Sequence, residues 1–243
     1  MNTAFFIGGI SGAGKSTRVY ALVSYLDKLG VPYEDYIFKH KSIGRIYFSK
    51  LAFVGKVVQR GLNKAWQGLD SFSDHLGDGR GNDGLYDFMF NALKTYDLVI
   101  DTAILLRTNR SRPKYIKEKG YMGAFNSYVR FYYFEMDDFK SYQDRIRIRQ
   151  NGKILDEKSS MWLANKEFRT YITHYNDELK EDIPEEYKEY FLVKKGDPKE
   201  DVSTVGIEIL ERSGHEDLVE GFKDFCKTFP LQTETDRKEE ALF

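Results

Sequence analysis

The chain has 243 residues, of which 41% are hydrophobic and 31% charged, with a formal net charge of −1. Such a length fits one α/β domain, or one domain with a small insert, and the apolar fraction suffices for a core. No apolar run approaches the ~20 residues a membrane helix needs; the near-neutral charge argues against a general nucleic-acid binder, and the lone Cys226 excludes an intrachain disulfide or a thiolate metal cluster.

Ala4 to Ile7 reads as a short strand, apolar on both faces as buried parallel strands are. The apolar run 4–10 is too short for a signal peptide and no basic segment precedes it, so a cytoplasmic protein is expected. A glycine-rich turn follows, then a helix from about Lys15 to Leu29 with an apolar stripe of Val19, Leu22, Val23, Leu26 and Leu29. Gly30 caps it and Pro32 prevents its continuation. Tyr36 to Phe38 reads as a second strand. Ile43–Phe48 and Leu51–Val58 fit either a hairpin or short helices. Residues 78–84 have loop composition, and Asp83 is placed to cap a helix running to about Thr95.

Leu98, Val99 and Ile100 form a buried strand that ends on Asp101. Residues 107–119 are a basic loop broken by Pro113; residues 129–134 are a strand. Helices are expected after Asp137-Asp138 as far as Gln150, and over about 158–180. A last strand, 190–193, and a helix, 202–212, precede a polar tail from residue 233. Alternating strands and helices imply a parallel sheet with crossover helices. The expected organisation is one domain over 1–232, with an acceptor-binding insert at about 36–82 and a lid at about 137–158.

The most specific feature is Gly9-Ile10-Ser11-Gly12-Ala13-Gly14-Lys15-Ser16, which matches G-x-x-x-x-G-K-[S/T] at every fixed position, with a strand before it and a helix after it. Glycines let consecutive N–H groups curl around a β-phosphate, and the helix N-terminus adds positive partial charge. Lys15 is expected to bridge the β- and γ-phosphates, Ser16 to ligate Mg²⁺, and Thr17 to flank the α-phosphate. ATP is the expected donor: no guanine-specifying Asn-Lys-x-Asp element occurs, and Asn165-Lys166-Glu167-Phe168 matches only half of it.

Phosphoryl transfer needs a further carboxylate for the metal or for the acceptor. Asp101, at the end of an apolar strand, resembles a Walker B aspartate; the alternative is a cap on the next turn. Asp97, at the strand's other end, reads as structural. Arg145 and Arg149 share one helix face at i and i+4. With the preceding Glu135-Met136-Asp137 they resemble the lid of nucleoside and nucleotide kinases, whose arginines close over the transferring phosphoryl group; the alternative is a solvated helix face.

These motifs make the chain similar to the P-loop nucleoside and nucleotide kinase group, with an α/β three-layer fold whose central parallel sheet is flanked by helices. In deoxynucleoside kinases an acidic residue past the second strand acts as base, but here that place reads Phe38-Lys39-His40-Lys41. Phe53-Val54-Gly55-Lys56 followed by Gly68-Leu69-Asp70-Ser71-Phe72-Ser73-Asp74 resembles phage P-loop kinases that phosphorylate 5-hydroxymethyluracil within DNA. The resemblance implies Asp70 as the base that takes the hydroxymethyl proton, and DNA containing modified thymine as partner.

Residues 36–69 contain no acid and seven cations, Lys39, Lys41, Arg45, Lys50, Lys56, Arg60 and Lys64, interleaved with Tyr36, Phe38, Tyr47, Phe48, Phe53 and Trp66. Such cations can meet backbone phosphates and such rings can stack on an extruded base. The alternatives are a solvated surface with core aromatics, and cations that meet the phosphate of a free mononucleotide. Three functions therefore stand: a kinase of DNA bases, a kinase of free nucleosides or their monophosphates, and an ATP-binding module without an acceptor.

Overall fold

The structure is a computed structural model, and it describes residues 2–9, 14–60, 63–68, 88, 91–101, 129–135, 158, 191–195 and 201–230. In chain order the strands are β1 (Ala4–Gly9), β2 (Tyr33–Phe38), β3 (Lys41–Tyr47), β4 (Leu51–Arg60), β5 (Asn63–Gly68), β6 (Asp97–Asp101), β7 (Val129–Glu135) and β8 (Phe191–Lys195). Helix α1 (Lys15–Lys28) follows β1; α2 (Thr204–Arg212) and α3 (Val219–Lys227) follow β8.

The strands lie in the order β2-β3-β4-β6-β1-β7-β8, with β5 paired to β4 off this path. The pairs β4–β6, β6–β1, β1–β7 and β7–β8 are parallel. The chain between α1 and β5 departs from the expected all-parallel arrangement. There β2–β3, β3–β4 and β4–β5 are antiparallel, so the sheet is mixed. The segments left open between hairpin and helices are a hairpin.

Its turns explain why. Lys50 N donates to Tyr47 O at 3.0 Å across Phe48 and Ser49, whose φ values are 54° and 55°. Lys39 and His40, between β2 and β3, have φ of 45° and 63°. The β2–β3 loop is thus two residues with φ > 0 at both, a turn whose twist matches a hairpin, and the three-residue β3–β4 connection carries the same φ > 0 pair within its turn.

Both faces of the central strands are buried. Phe5 and Ile7 of β1, Val99 of β6 and Phe53 of β4 join one core with Val19, Leu22, Val23 and Leu26 of α1, Val205 and Ile209 of α2, and Phe222 of α3. The alternate residues Phe6, Ile100 and Val54 point the other way and are buried too. This is why these strands read as unbroken apolar runs. Helix α1 ends as expected, with Gly30 at φ 70° and Val31 N bonded to Leu26 O at 3.0 Å. Among the described residues, no helix is long and apolar enough to cross a membrane.

Candidate active site

Of the residues expected at the phosphate site, Gly9, Gly14, Lys15, Ser16, Thr17 and Asp101 are described, and they lie at the C-terminal end of β1 and β6 and at the start of α1. The two strands run side by side, with Ile7 in register with Asp101, so β1 has two residues left when β6 ends. Gly9 closes β1; Ile10, Ser11, Gly12 and Ala13 lie outside the described residues. Gly14 then caps α1 in the left-handed region, φ 76° and ψ 16°, a conformation open to glycine without a Cβ penalty. It makes no side-chain cap bond and α1 has no acid in its first turn. The helix therefore presents its first N–H groups and its positive end without a competing side-chain acceptor from its own cap.

Lys15 is buried at 7% exposure, and Ser16 Oγ donates to Asp101 Oδ2. Asp101 is 3% exposed. The strand-end carboxylate and the loop hydroxyl, distant in sequence, are thus one unit. Both are hard oxygen donors, the kind that suits magnesium when phosphates and water complete the shell. Among the described residues no three His, Cys, Asp or Glu side chains converge as a metal cluster. A phosphate-loop metal does not require one, because it takes one hydroxyl and one carboxylate from the protein.

A third element reaches the same point. β4 is ten residues long: Leu51–Val54 pair with β6, and Gly55–Arg60 run on past its end and pair with β5. The register sets Gly55 opposite Gly68, joining the two glycine elements singled out in the sequence. A Cβ on Gly68 would stand 2.8 Å from Asp101 Oδ2 and 2.9 Å from its Cγ, and closer still to its main-chain oxygen. β5 therefore lies where β6 stops, with glycine required for room rather than for φ. Gly55 has φ 151°, and a Cβ there would strike the ring of Trp66 at 2.5 Å. Trp66 is 2% exposed, meets Phe53 edge-on at 6.2 Å, and belongs to the core that includes α1. The sequence motif marked the glycines but not their pairing, which depends on hairpin register.

Arg18 was missed altogether. It is fully buried on α1, one turn after Lys15, and its Nε donates to Asp201 O at 2.9 Å, tying the helix to the segment before α2. A lone arginine beside the apolar stripe was the available signal. Asp70, Arg145 and Arg149 lie outside the described residues.

The expectation that aromatics of residues 36–69 stack on a base is corrected. Tyr36, Tyr47, Phe53 and Trp66 are buried. Phe38 packs on Phe88, and Phe48 stacks on His215 with centroids 3.8 Å apart. Burial raises the Tyr36 hydroxyl pKa, with Tyr96 adding to it. Burial does the same for Tyr47, whose hydroxyl donates to Asp27 Oδ1 at 2.7 Å. These rings build the β2–β4 region because apolar area is worth more in the core than on a surface. Two of the seven cations are likewise structural: Arg45 Nη1 meets Asp27 Oδ2 at 2.9 Å, and Lys50 Nζ meets Asp97 Oδ2 at 3.3 Å.

A strand and a helix on either side of the phosphate-loop motif, and a hydroxyl–carboxylate pair at the end of the neighbouring parallel strand, are the arrangement of an α/β P-loop nucleotide-binding fold. A family profile described as 5-hmdU DNA kinase 2 matches residues 1–182. The chain belongs to that family and is an ATP-dependent kinase. Comparison with curated proteins finds no match. Among solved structures it is similar to a gluconokinase from Sinorhizobium meliloti 1021, at 11% identity and TM-score 0.40, covering 91% of this chain and 96% of that one. It is also similar to an uncharacterized protein from Eubacterium ventriosum ATCC 27560, at 10% identity and TM-score 0.37, covering 89% and 99%.

Proposed function

We propose that the enzyme transfers the γ-phosphoryl group of ATP to the hydroxymethyl oxygen of 5-hydroxymethyluracil in DNA, an intermediate step in hypermodification of phage thymine. The observation that carries this reading is the pairing of Gly55 with Gly68 beside Asp101. It brings Gly68, the first residue of the Gly-x-Asp element of the DNA-kinase resemblance, to the phosphate end of the sheet. Asp70 follows Gly68 by two residues, so covalent geometry keeps its Cα within roughly 7 Å of Gly68.

In this reading the first-turn N–H groups of α1 and Lys15 hold the β- and γ-phosphates, and Thr17 flanks the α-phosphate. Ser16 and Asp101 would hold magnesium, which would neutralise charge on the phosphates. Asp70 accepts the proton of the hydroxymethyl group as its oxygen bonds to the γ-phosphorus. The bond from that phosphorus to the β–γ bridging oxygen breaks, and ADP leaves. Arg145 and Arg149 close over the transferring group from the lid, and one domain over residues 1–232 carries all these parts.

The test is transfer of γ-labelled phosphate to duplex DNA containing 5-hydroxymethyluracil, against a thymine duplex. Label is expected on the first alone; equal label on both, or on neither, overturns the reading. Label on free mononucleotides but not on polymer selects a nucleotide kinase instead. Asp70→Asn is expected to abolish transfer while ATP still binds, and unchanged turnover returns the role of base to Asp101.

A further inference from the structure

The acid-free stretch 36–69 carries seven cations, and the structure sorts six of them, all but Arg60, by position. Arg45 and Lys50 are held by Asp27 and Asp97, at the middle and the N-terminal edge of the sheet. Lys39, Lys41, Lys56 and Lys64 are all exposed, and all lie at the other end. The topology puts them there. β3 runs antiparallel to β4 with Gly44 opposite Val54, so Lys41 and the turn at Lys39 stand past the last β4–β6 pair. Lys56 and Lys64 sit on the part of the β4–β5 hairpin that overruns β6. Two neighbouring hairpins thus raise four ammonium groups at the end of the sheet that holds Lys15 and Asp101; the acids of the first hairpin, Glu34 and Asp35, precede the acid-free stretch, and Asp35 Oδ1 accepts from Ser42 Oγ at 3.2 Å.

We propose that this rim binds the phosphate backbone of duplex DNA and docks the polymer over the active site; the proposal rests on the DNA reading above. Ammonium groups on flexible stems suit phosphate contacts that do not depend on sequence. Single-strand binders add aromatic platforms on which bases stack. Here the rings of this region are buried or packed on other side chains, which leaves charge as the contact and favours the duplex backbone.

The experiment measures duplex affinity against salt for the full chain carrying Lys39→Gln with Lys41→Gln, and separately Lys56→Gln with Lys64→Gln. Each lost phosphate contact should weaken binding and reduce the slope of log affinity against log salt by about 0.9. Each pair is therefore expected to lower the slope by one to two and duplex affinity by about tenfold near 0.1 M salt. Lys223→Gln with Lys227→Gln, on α3 where these side chains pair with Glu220 and Asp224, is the charge-matched control and should leave both unchanged. Lys41→Gln alone, outside the turn, repeats the measurement if the first pair loses thermal stability. Wild-type slope and affinity in both rim pairs, or an equal loss in the control, overturns the proposal. A wild-type enzyme that binds duplex with the full slope but does not phosphorylate 5-hydroxymethyluracil leaves the rim standing and sinks the function above. A preference for single strands that the rim variants leave intact overturns the rim.

Discussion

Strand β6 begins and ends on an aspartate, and the two are buried alike, Asp97 at 1% exposure and Asp101 at 3%. Their neighbours differ. Asp97 Oδ1 accepts from Thr3 N at 2.6 Å and Oδ2 faces Lys50, while Asp97 N donates to Lys50 O at 2.9 Å. These contacts lock together the starts of β1, β4 and β6. Asp101 instead meets the hydroxyl of a phosphate-loop serine and the bare backbone of Gly68. One carboxylate is surrounded by groups that hold the fold. The other stands where strands end and helix α1 begins, the end at which α/β sheets bind ligands. Burial alone does not distinguish the two acids; the end of the strand on which each stands does.

The sharpest way to break this comparison is to neutralise each acid. Asp101→Asn keeps a partner for Ser16 but loses the charge, so turnover is expected to fall about 10²–10³-fold with the melting temperature near wild type. Full turnover would make Asp101 a second Asp97. Asp97→Ala leaves Thr3 N without its charged acceptor, at a cost of about 2–3 kcal/mol by denaturant titration. Activity per folded molecule should hold, and a loss of turnover without a loss of stability would place Asp97 in the chemistry. Gly68→Ala drives a methyl group into Asp101 and should cut turnover about tenfold, a loss of about 1.4 kcal/mol in transition-state binding. The amount of magnesium needed for ATP to raise the melting temperature should increase with it; an unchanged magnesium requirement would detach the hairpin from the metal site. Smallest of all, Ser49→Asn places a residue that tolerates left-handed backbone in an exposed turn position of φ 55°. It should stabilise by a few tenths of a kcal/mol, up to about 1, and a lower melting temperature would show that Ser49 is not strained.

The two acids were legible because each ends an apolar run, and the phosphate loop because its spacing is fixed by the phosphate it wraps. The antiparallel strands were not, because their turns use Lys39-His40 and Phe48-Ser49 where Asn-Gly or Asp-Gly is the usual signal. Phe48 has the ring of His215 stacked on it, so tertiary packing supports a conformation that local propensity disfavours. Arg45 and Lys50 looked like part of a nucleic-acid surface because their acids, Asp27 and Asp97, lie outside the acid-free stretch. The roles of Asp70, Arg145 and Arg149 rest on sequence.

Strands β2 to β5 follow one another directly along the chain, and β3, β4 and β5 each pair with the strand before. The β1–β6 pair, by contrast, must close a loop that contains α1 and all four of those strands. Local pairings form faster than distant ones. The hairpin arm is therefore expected to assemble first and serve as the surface on which β6 docks, so that Asp101 reaches Ser16 in a late step. Turn variants should then change the refolding rate, whereas Asp101 variants should leave it at the wild-type value. On the proposed roles of Ser16 and Asp101, their contact becomes a record of completed folding: the magnesium pair is assembled only after the hairpin arm is built.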